Sequence, residues 1–251
     1  MSPTEELFLS VVIPTYNEEK LISNTLMKIQ KHFEKKRIPY EIIVVDDGST
    51  DSTVCIVEQL IRENKNNKLM LLRNMSRCGK GAAVRKGFLN GSGKYIVFCD
   101  ADLSTSIEEI DNFLKWLETG YDVIIGSRRL PESEIQGGQP YTRTLARYFF
   151  QCLAKTVVRG FSDTQCGFKC FTREAARDIF NRQKIDGYAF DVEVLYIAKK
   201  LNHKVKELPV KWVYSPFSKL KVFNDSVKMV KDILRIKLAH RFKDRTEQNY
   251  E

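Results

Sequence analysis

The stretch Tyr95-Ile-Val-Phe-Cys-Asp-Ala-Asp102 joins a continuous apolar run directly to two carboxylates. A short apolar run of this kind predicts a buried strand. Two carboxylates one residue apart at the end of a strand can hold Mg²⁺ or Mn²⁺ together with substrate phosphates. The same pattern also occurs in loops, where an aspartate only caps a helix. The neighbouring sequence therefore decides between the two interpretations.

On both sides of this stretch, strand patterns alternate with helix patterns. Such alternation predicts βαβ units, and hence an α/β fold with a mostly parallel sheet flanked by helices. The predicted strands are 7–13 (closed by Pro14), 40–45, 68–73, 95–99 and 122–126, and the predicted helices between them are 18–37, 52–64, 81–90 and 107–118.

Polar residues follow every predicted strand, and ligands of parallel sheets bind at the carboxyl ends of the strands. A second acidic pair, Asp46-Asp47, ends the second strand. It can bond a ribose hydroxyl or a base, or belong to the cap of the next helix. Lys80 stands in a glycine-flanked turn before a helix, where it can lie near a diphosphate. We therefore expect one shared site for a nucleotide and a metal ion.

The second half of the chain is less regular. It contains a polar loop at 131–141, an amphipathic helix at 142–158, a compact segment at 163–171, a helix at 190–201, a strand at 205–213 and a basic amphipathic helix at 224–243. We expect one domain over 7–221, and a basic amphipathic helix with a tail over 222–251. That helix suits an anionic lipid interface. Ordinary packing with a solvated basic face is equally compatible with its pattern.

The formal net charge of +9 indicates an anionic partner. Nucleic acid is not expected, because the basic residues form no RRM or KH signature and acidic pairs at the strand ends repel a polyanion. No apolar run reaches the ~18–20 residues of a membrane-spanning helix, and the amino terminus lacks the pattern of a signal peptide. Membrane contact is therefore expected to be peripheral, or to use an anchor outside this chain. Cations that could grip a phosphate, or be surface charges, are Arg128, Arg129, Arg143, Arg147 and Lys219.

Taken together, the motifs resemble the inverting family 2 glycosyltransferases of GT-A fold. The shared segments are Ser10-Val-Val-Ile-Pro-Thr-Tyr-Asn-Glu-Glu19, Val44-Val-Asp-Asp-Gly-Ser49 and Asp100-Ala-Asp102. Asp163-Thr-Gln-Cys-Gly-Phe-Lys169 and Phe190-Asp-Val-Glu193 are more specific. With Gly126-Ser-Arg128, Gln139-Pro-Tyr-Thr-Arg143 and Ser218-Lys219, they resemble the branch that glycosylates dolichyl and polyprenyl phosphates. Ser104 stands where mannosyl enzymes commonly carry glutamine, which favours the glucosyl branch.

The resemblance implies a single GT-A, Rossmann-like domain and a set of roles. Arg128 and Arg143 would meet the lipid phosphate, with Lys219 close by, and Asp102 would act at the reacting centre. Asp100 and Asp102 would bind Mg²⁺ or Mn²⁺. The nucleotide-sugar would be held by Pro14, Tyr16, Glu18, Asp46, Asp47, Lys80 and Asp100.

The implied reaction moves a sugar, glucose from UDP-glucose, to a polyprenyl or dolichyl phosphate with inversion. A lipid phosphate is already anionic, so it needs no general base. Alternatives are mannosyl transfer from GDP-mannose to the same lipids, and transfer to a saccharide hydroxyl with Asp191 as base. The expected location is the cytoplasmic side of a membrane, which is the endoplasmic reticulum in a eukaryote and the plasma membrane in a prokaryote.

Overall fold

The computed structural model describes residues 7–63, 68–138, 141–215 and 222–241, and for residues 141–147, 222–227 and 241 it describes the backbone alone. The strands are β1 (Leu9–Thr15), β2 (Tyr40–Asp46), β3 (Leu69–Arg73), β4 (Tyr95–Cys99), β5 (Val123–Ser127), β6 (Glu134–Gln136), β7 (Phe168–Thr172), β8 (Val205–Pro209) and β9 (Lys211–Val213). The helices are α1 (Ile22–Lys36), α2 (Thr53–Glu63), α3 (Lys80–Asn90), α4 (Ile110–Glu118, after a short 3-10 turn), α5 (Tyr141–Lys155), α6 (Arg173–Phe180), α7 (Phe190–Lys200) and α8 (Val222–Arg241).

Seven strands form one sheet in the order β3-β2-β1-β4-β7-β5-β8, and β6 and β9 form a separate ribbon. Six of the seven run in the same direction, and β7 is antiparallel to both of its neighbours. This confirms the predicted α/β fold with a mostly parallel sheet. The strand order reverses between β1 and β4, which is where such sheets bind ligands.

Helices cover both faces of the sheet. Because successive side chains of a strand point to opposite faces, Val11 packs with α1, α2 and α4, whereas Val12 packs with α3 and α5 to α8. Both faces are thus buried, which explains why the central strands read as continuous apolar runs.

Proline explains two differences between the predicted and observed strands. β1 continues through Pro14 to Thr15, although we expected it to end before Pro14. Its pairing with β4 stops at Val12, so the missing N–H of Pro14 interrupts no hydrogen bond on that side. The predicted strand 205–213 is two strands. β8 ends at Pro209 on the edge of the main sheet, and β9 joins the ribbon with β6, which lies inside the predicted loop 131–141.

Two further elements were not predicted as such. The compact segment 163–171 contains most of β7, and α6 follows it at once. Thr172 caps α6, because its Oγ1 accepts a hydrogen bond from the Ala175 amide at 3.2 Å. A threonine before Arg-Glu-Ala-Ala is a helix-start signal that sequence analysis could have used.

The C-terminal helix α8 packs on the body of the protein. Met229, Ile233 and Ile236 are buried in the same apolar cluster as the helices α3 and α5 to α7. None of the described helices combines the length and apolar content needed to span a membrane.

Candidate active site

Hydrogen bonds join the loops that follow β1 and β2, and the two loops together form one rim at the carboxyl ends of these strands. Asn17, in a left-handed conformation (φ 55°), donates its amide to Ser49 Oγ at 2.8 Å and accepts the Thr50 amide on Oδ1 at 2.8 Å. The Glu18 amide donates to Thr53 Oγ1 at 2.7 Å. These bonds bring the segment with Tyr16 and Glu18 beside the acidic pair of β2, as one shared nucleotide site requires.

Pro14 and Tyr16 lie at the start of this rim. Pro14 is buried within β1, and Tyr16 is half-buried directly after it. The guanidinium of Arg77, from the loop after β3, lies over the Tyr16 ring at 4.1 Å from its centroid. A cation at this distance from an aromatic face is attracted to it, so three strand ends contribute to the rim.

Asp46 carries an unused acceptor. Its carboxylate is 1% exposed, and Oδ2 accepts the amides of Gly48 and Ser49 at 3.2 and 3.1 Å. Oδ1 is buried without a hydrogen-bond partner among the described residues. Buried acceptors are normally paired, and an exception points to a ligand or to water. Asp46 is thus suited to receive an N–H or O–H from a ligand at the end of β2.

The carboxylate of Asp47 accepts hydrogen bonds from within the protein. Oδ1 accepts from Asn74 Nδ2 and from the Cys78 amide, both at 2.9 Å, and Oδ2 accepts the Gly79 amide at 2.8 Å. These contacts fix the loop between β3 and α3. In the structure, Asp47 stabilises this loop. Its predicted contact with a ligand remains a hypothesis.

Lys80 and Asp100 face each other across the site. Lys80 Nζ lies 2.6 Å from Asp100 Oδ1, and 5.2 Å from the centroid of Phe98. Burial acts to lower the pKa of Lys80, but the charges of Asp100 and Asp191 outweigh it, so the pKa is raised. The ammonium therefore stays charged, and a diphosphate beside Asp100 would meet this cation.

Two first-turn amides of α3 are hydrogen-bonded within the protein. The amides of Gly81 and Ala82 both donate to the Asp186 carbonyl, at 2.8 and 3.3 Å. We expected a diphosphate near this helix terminus, where such amides attract anions. The protein itself occupies these two donors, so the Lys80 side chain is the part of this turn that reaches the site.

Asp102 is the second carboxylate after β4. Its Oδ1 accepts the Ser104 amide at 3.0 Å, and Leu103 between them adopts a left-handed conformation (φ 45°). Burial raises the pKa of Asp102, and the nearby charge of Asp100 adds to this rise. A cation bound between the two carboxylates would relieve both effects. Among the described residues, no cluster of three or more His, Cys, Asp or Glu side chains is arranged to hold a metal ion.

The segment before β7 reaches the same edge of the sheet, because β7 runs against its neighbours and Phe168 pairs with Cys99. Gly167 therefore lies against Asp100. A Cβ at Gly167 would be 2.7 Å from Asp100 Cγ, closer than such atoms approach in proteins. The role of Gly167 is not predictable from the sequence by the strand-end rule, because that rule covers residues that follow parallel strands and Gly167 precedes an antiparallel one.

Arg128 forms a buried pair with Asp163. Nε and Nη2 donate to the two carboxylate oxygens at 2.6 and 2.9 Å, and the Arg128 amide adds a third bond at 3.1 Å. Burial opposes the charge on each partner, but the opposite charge dominates, so the pKa of Arg128 is raised and that of Asp163 is lowered. Two of the three guanidinium nitrogens, Nε and Nη2, thus fix the 162–167 segment through Asp163. The third nitrogen, Nη1, takes no part in this pair.

The other two predicted phosphate ligands are less fully described. Arg143 lies in the first turn of α5, where the backbone alone is described. Lys219 lies outside the described residues. Their predicted contact with a lipid phosphate therefore stays a prediction.

A second buried ion pair lies beneath the site. Lys169, on β7, is 1% exposed and donates from Nζ to the Cys166 carbonyl at 2.6 Å and to Asp191 Oδ1. Burial raises the pKa of Asp191, and the charges of Lys169 and Lys80 counteract it. Sequence analysis named Asp191 but gave no role to Lys169. A lysine inside the apolar run Phe-Lys-Cys-Phe signals a buried charge that needs a partner.

Comparison with known proteins agrees with this arrangement. Residues 10–180 match the family model described as glycosyl transferase family 2. Dolichyl-phosphate β-glucosyltransferase of Dictyostelium discoideum is 37% identical over 95% of this chain and 76% of its own length. The enzymes of the same name from Homo sapiens and Saccharomyces cerevisiae are 38% and 34% identical, over 95% and 94% of this chain and 77% and 76% of their own lengths.

Solved structures share the fold at low sequence identity. Glucosyl-3-phosphoglycerate synthase of Mycobacterium tuberculosis, solved with Mn²⁺, UDP and glucosyl-3-phosphoglycerate, has a TM-score of 0.66 and 19% identity over 92% of this chain and 79% of that one. Mannosyl-3-phosphoglycerate synthase of Rubrobacter xylanophilus also has a TM-score of 0.66 and 19% identity, over 98% of this chain and 77% of that one. The matched family model, the relatives and the acidic strand ends agree, and the chain belongs to glycosyl transferase family 2.

Proposed function

We propose that this chain transfers glucose from UDP-glucose to dolichyl phosphate, or to a similar polyprenyl phosphate, with inversion at the anomeric carbon. The observation that carries the proposal is the similarity to dolichyl-phosphate β-glucosyltransferases over 94–95% of the chain. The acidic residues at the ends of β2 and β4 support the proposal, because they lie at the carboxyl ends of parallel strands, where such sheets bind ligands.

The donor would lie along the ends of β1, β2 and β4. Asp46 Oδ1 would accept a hydrogen bond from the base or the ribose, since it is a buried acceptor at the end of β2 that has no partner among the described residues. Pro14, Tyr16 and Glu18 would line the same rim, which Asp47 supports through the loop before α3. Lys80, whose Nζ lies beside Asp100, would contact the diphosphate there.

Asp100 and Asp102 fit a divalent cation, Mg²⁺ or Mn²⁺. Two carboxylates are the usual protein share of a site that also binds substrate phosphates. Burial and the neighbouring charge of Asp100 raise the pKa of Asp102, and a bound cation would counteract both effects. When bound, such an ion neutralises charge that develops on the leaving diphosphate. Cation binding would weaken the ion pair between Asp100 and Lys80, because Lys80 Nζ contacts one of the two carboxylate oxygens of Asp100.

The acceptor needs orientation more than activation. A lipid phosphate is ionised at neutral pH, so its oxygen can attack opposite the leaving nucleoside diphosphate, and an α-linked donor gives a β-linked product. Arg143, Lys219 and the remaining Nη1 of Arg128 are proposed to hold that phosphate. For a saccharide hydroxyl, Asp191 would serve as base, but its Oδ1 already contacts Lys169. This contact favours the phosphate acceptor.

A membrane surface is proposed on the outer faces of α5 and α8. Both helices bury side chains in the same apolar cluster and pack on each other. The exposed apolar residues there are Tyr148, Phe149, Leu234 and Leu238, at 61%, 60%, 62% and 56% exposure. Lys231 and Arg235 are exposed on the same face of α8. Apolar side chains among cations suit an anionic lipid surface on the cytoplasmic side of a membrane, with or without an anchoring partner.

A transfer assay tests the enzymatic proposal. Labelled UDP-glucose, dolichyl phosphate and Mg²⁺ or Mn²⁺ should give labelled glucose in the organic phase, and EDTA should abolish it. Asp102→Asn should lower the rate by about 100-fold or more, whereas Asp111→Asn, on the surface of α4, should not. Faster transfer from GDP-mannose would replace the glucosyl assignment. Absence of any lipid product from folded protein would contradict the proposal.

Vesicle sedimentation tests the membrane surface separately. The wild type should pellet with vesicles that contain anionic lipid, and the double variant Leu234→Asp/Leu238→Asp should remain in the supernatant. Met27→Asp, equally exposed on α1 on the opposite side of the sheet, is the matched control. Equal pelleting of all three proteins would show that α8 does not contact the lipid.

A further inference from the structure

Glu193 joins α8 to the segment before α7. Its side chain is fully buried, and Oε1 accepts from His240 Nε2 at 2.7 Å and from the Lys184 amide at 3.0 Å. Oε2 accepts the Ile185 amide at 2.7 Å. A carboxylate oxygen is an acceptor, so in this contact the His240 ring donates through Nε2. One carboxylate thus binds the last turn of α8 and the backbone of residues 184–185.

The position of α8 is further specified at its C-terminal end. Lys200 Nζ, from α7, donates to the His240 carbonyl at 2.7 Å, and Lys184 Nζ donates to the Ala239 carbonyl at 3.2 Å. The last carbonyls of a helix lack partners within the helix, and cations are favourable there. The end of α8 is therefore fixed to both α7 and the 183–187 segment.

The same segment holds the first turn of α3. The Asp186 carbonyl accepts the amides of Gly81 and Ala82, and Gln183 Nε2 donates to the Gly81 carbonyl at 3.3 Å. Arg85 donates to the Gln183 carbonyl at 3.3 Å and to Asp186 Oδ1 at 2.7 Å.

Glycines permit this close approach. A Cβ at Gly79 would lie 3.0 Å from the Asp186 carbonyl carbon, and one at Gly81 would lie 3.0 Å from the Gly187 carbonyl oxygen. Both distances are shorter than ordinary contacts, so the turn and the segment meet backbone to backbone. Lys80 stands between these two glycines, and its Nζ reaches Asp100.

We propose that Glu193 and His240 are positioning residues that set the first turn of α3, and with it Lys80, so that the seating of α8 determines how well the site binds the nucleotide-sugar. Each step of the path is a hydrogen bond or backbone contact between described residues. The inference rests on the proposed function, because its readout is donor binding. It also links the outer helix α8, which carries the proposed lipid surface, to the donor half of the site.

The test compares His240→Leu, which removes the donor to Glu193, with His240→Gln, whose amide can still donate. Donor KM, acceptor KM, kcat and the Kd of UDP with Mn²⁺ by calorimetry are measured at a temperature where all proteins are folded. His240→Leu should raise the donor KM and the UDP Kd by about tenfold, the lower end of losses caused by removing a supporting partner. The acceptor KM should stay unchanged, and His240→Gln should recover most of the donor binding.

His203→Leu is the matched control. His203 is half-buried and lies 3.6 and 3.5 Å from the carboxylates of Asp122 and Asp178, and in the described part of the chain it has no hydrogen bond or ion pair with the 183–187 segment or α8. It should lose thermal stability without a change in donor KM. Equal changes in donor KM for His203→Leu and His240→Leu would show a general loss of stability and overturn the proposal.

Arg85→Met provides a second route, because it loosens the segment from the side of α3 and leaves the bond between the buried Glu193 and His240 intact. It should raise the donor KM about threefold. If His240→Leu does not fold, an unchanged donor KM in Arg85→Met overturns the proposal by itself. A wild type that binds no UDP would instead contradict the proposed function, whereas wild-type binding with unaltered variants contradicts only the positioning role.

Discussion

The two halves of the molecule use charge differently. In the amino-terminal half, from β1 to β5, Asp46 ends the parallel strand β2, Asp100 and Asp102 come after β4, and Asp46 keeps an acceptor free of its own chain. In the carboxyl-terminal half, from Arg128 onward, the buried charges mainly satisfy each other, as Arg128 does with Asp163 and Lys169 with Asp191. The first half supplies the side chains that are available to a ligand, and the buried ion pairs of the second half help to position them.

The largest expected effect tests whether the Arg128–Asp163 pair is primarily structural. Asp163→Asn leaves a buried guanidinium without its counter-charge, and breaking such a pair costs about 3–5 kcal/mol in the free energy of unfolding. Urea denaturation measures it. The control is Glu134→Gln, which breaks the exposed pair with Lys211, and exposed pairs contribute about 0–1 kcal/mol. If Asp163→Asn lowers the free energy of unfolding by less than about 1 kcal/mol, the pair is not primarily structural, and Arg128 would be assigned to ligand binding alone.

The next effect tests how the second half shapes the carboxylates of the first. Gly167→Ala places a Cβ against Asp100, so the carboxylate must leave the position in which it contacts Lys80. We expect kcat/KM to fall about 100-fold, since a displacement of about 1 Å at a site costs that much. Gly138→Ala is the matched control, because a Cβ there meets nothing within 4 Å. Full activity in Gly167→Ala would mean that Asp100 need not occupy its observed position.

The pH dependence of stability gives a smaller and independent measure of the same pair. The pKa of Asp163 is lowered in the folded protein, so its contribution is fully present above the unfolded pKa of about 3.9 and is lost as the pH falls toward the folded pKa. The stability difference between the wild type and Asp163→Asn should therefore shrink by about 1–2 kcal/mol between pH 5 and pH 2. Denaturation curves across that range measure it, and a difference that stays constant would contradict the assigned charge state.

How much could be predicted from the sequence also differs between the halves. The parallel strands are buried on both faces, so their apolar runs are unambiguous, and the strand-end rule then locates Asp46, Asp100 and Lys80 without further information. The rule fails for β7, because an antiparallel strand presents the residues before it, and Gly167 and Asp163 were given no place in the site. It also cannot tell that Asp47 and Arg128 would be occupied by neighbours, since pairing between distant segments has no local signal.

The smallest effect tests the free acceptor on which the donor half depends. Asp46→Asn can keep one oxygen on the amides of Gly48 and Ser49, but it replaces the unpaired Oδ1 by a donor. A base or ribose donor would then meet a second donor, and the donor KM should rise about tenfold, equivalent to about 1.4 kcal/mol. The free energy of unfolding should change little, because no bond within the protein is lost. Kinetics and urea denaturation together separate the two outcomes. An unchanged KM would mean that Oδ1 faces water, and that the base is held elsewhere along the rim formed by β1 and β2.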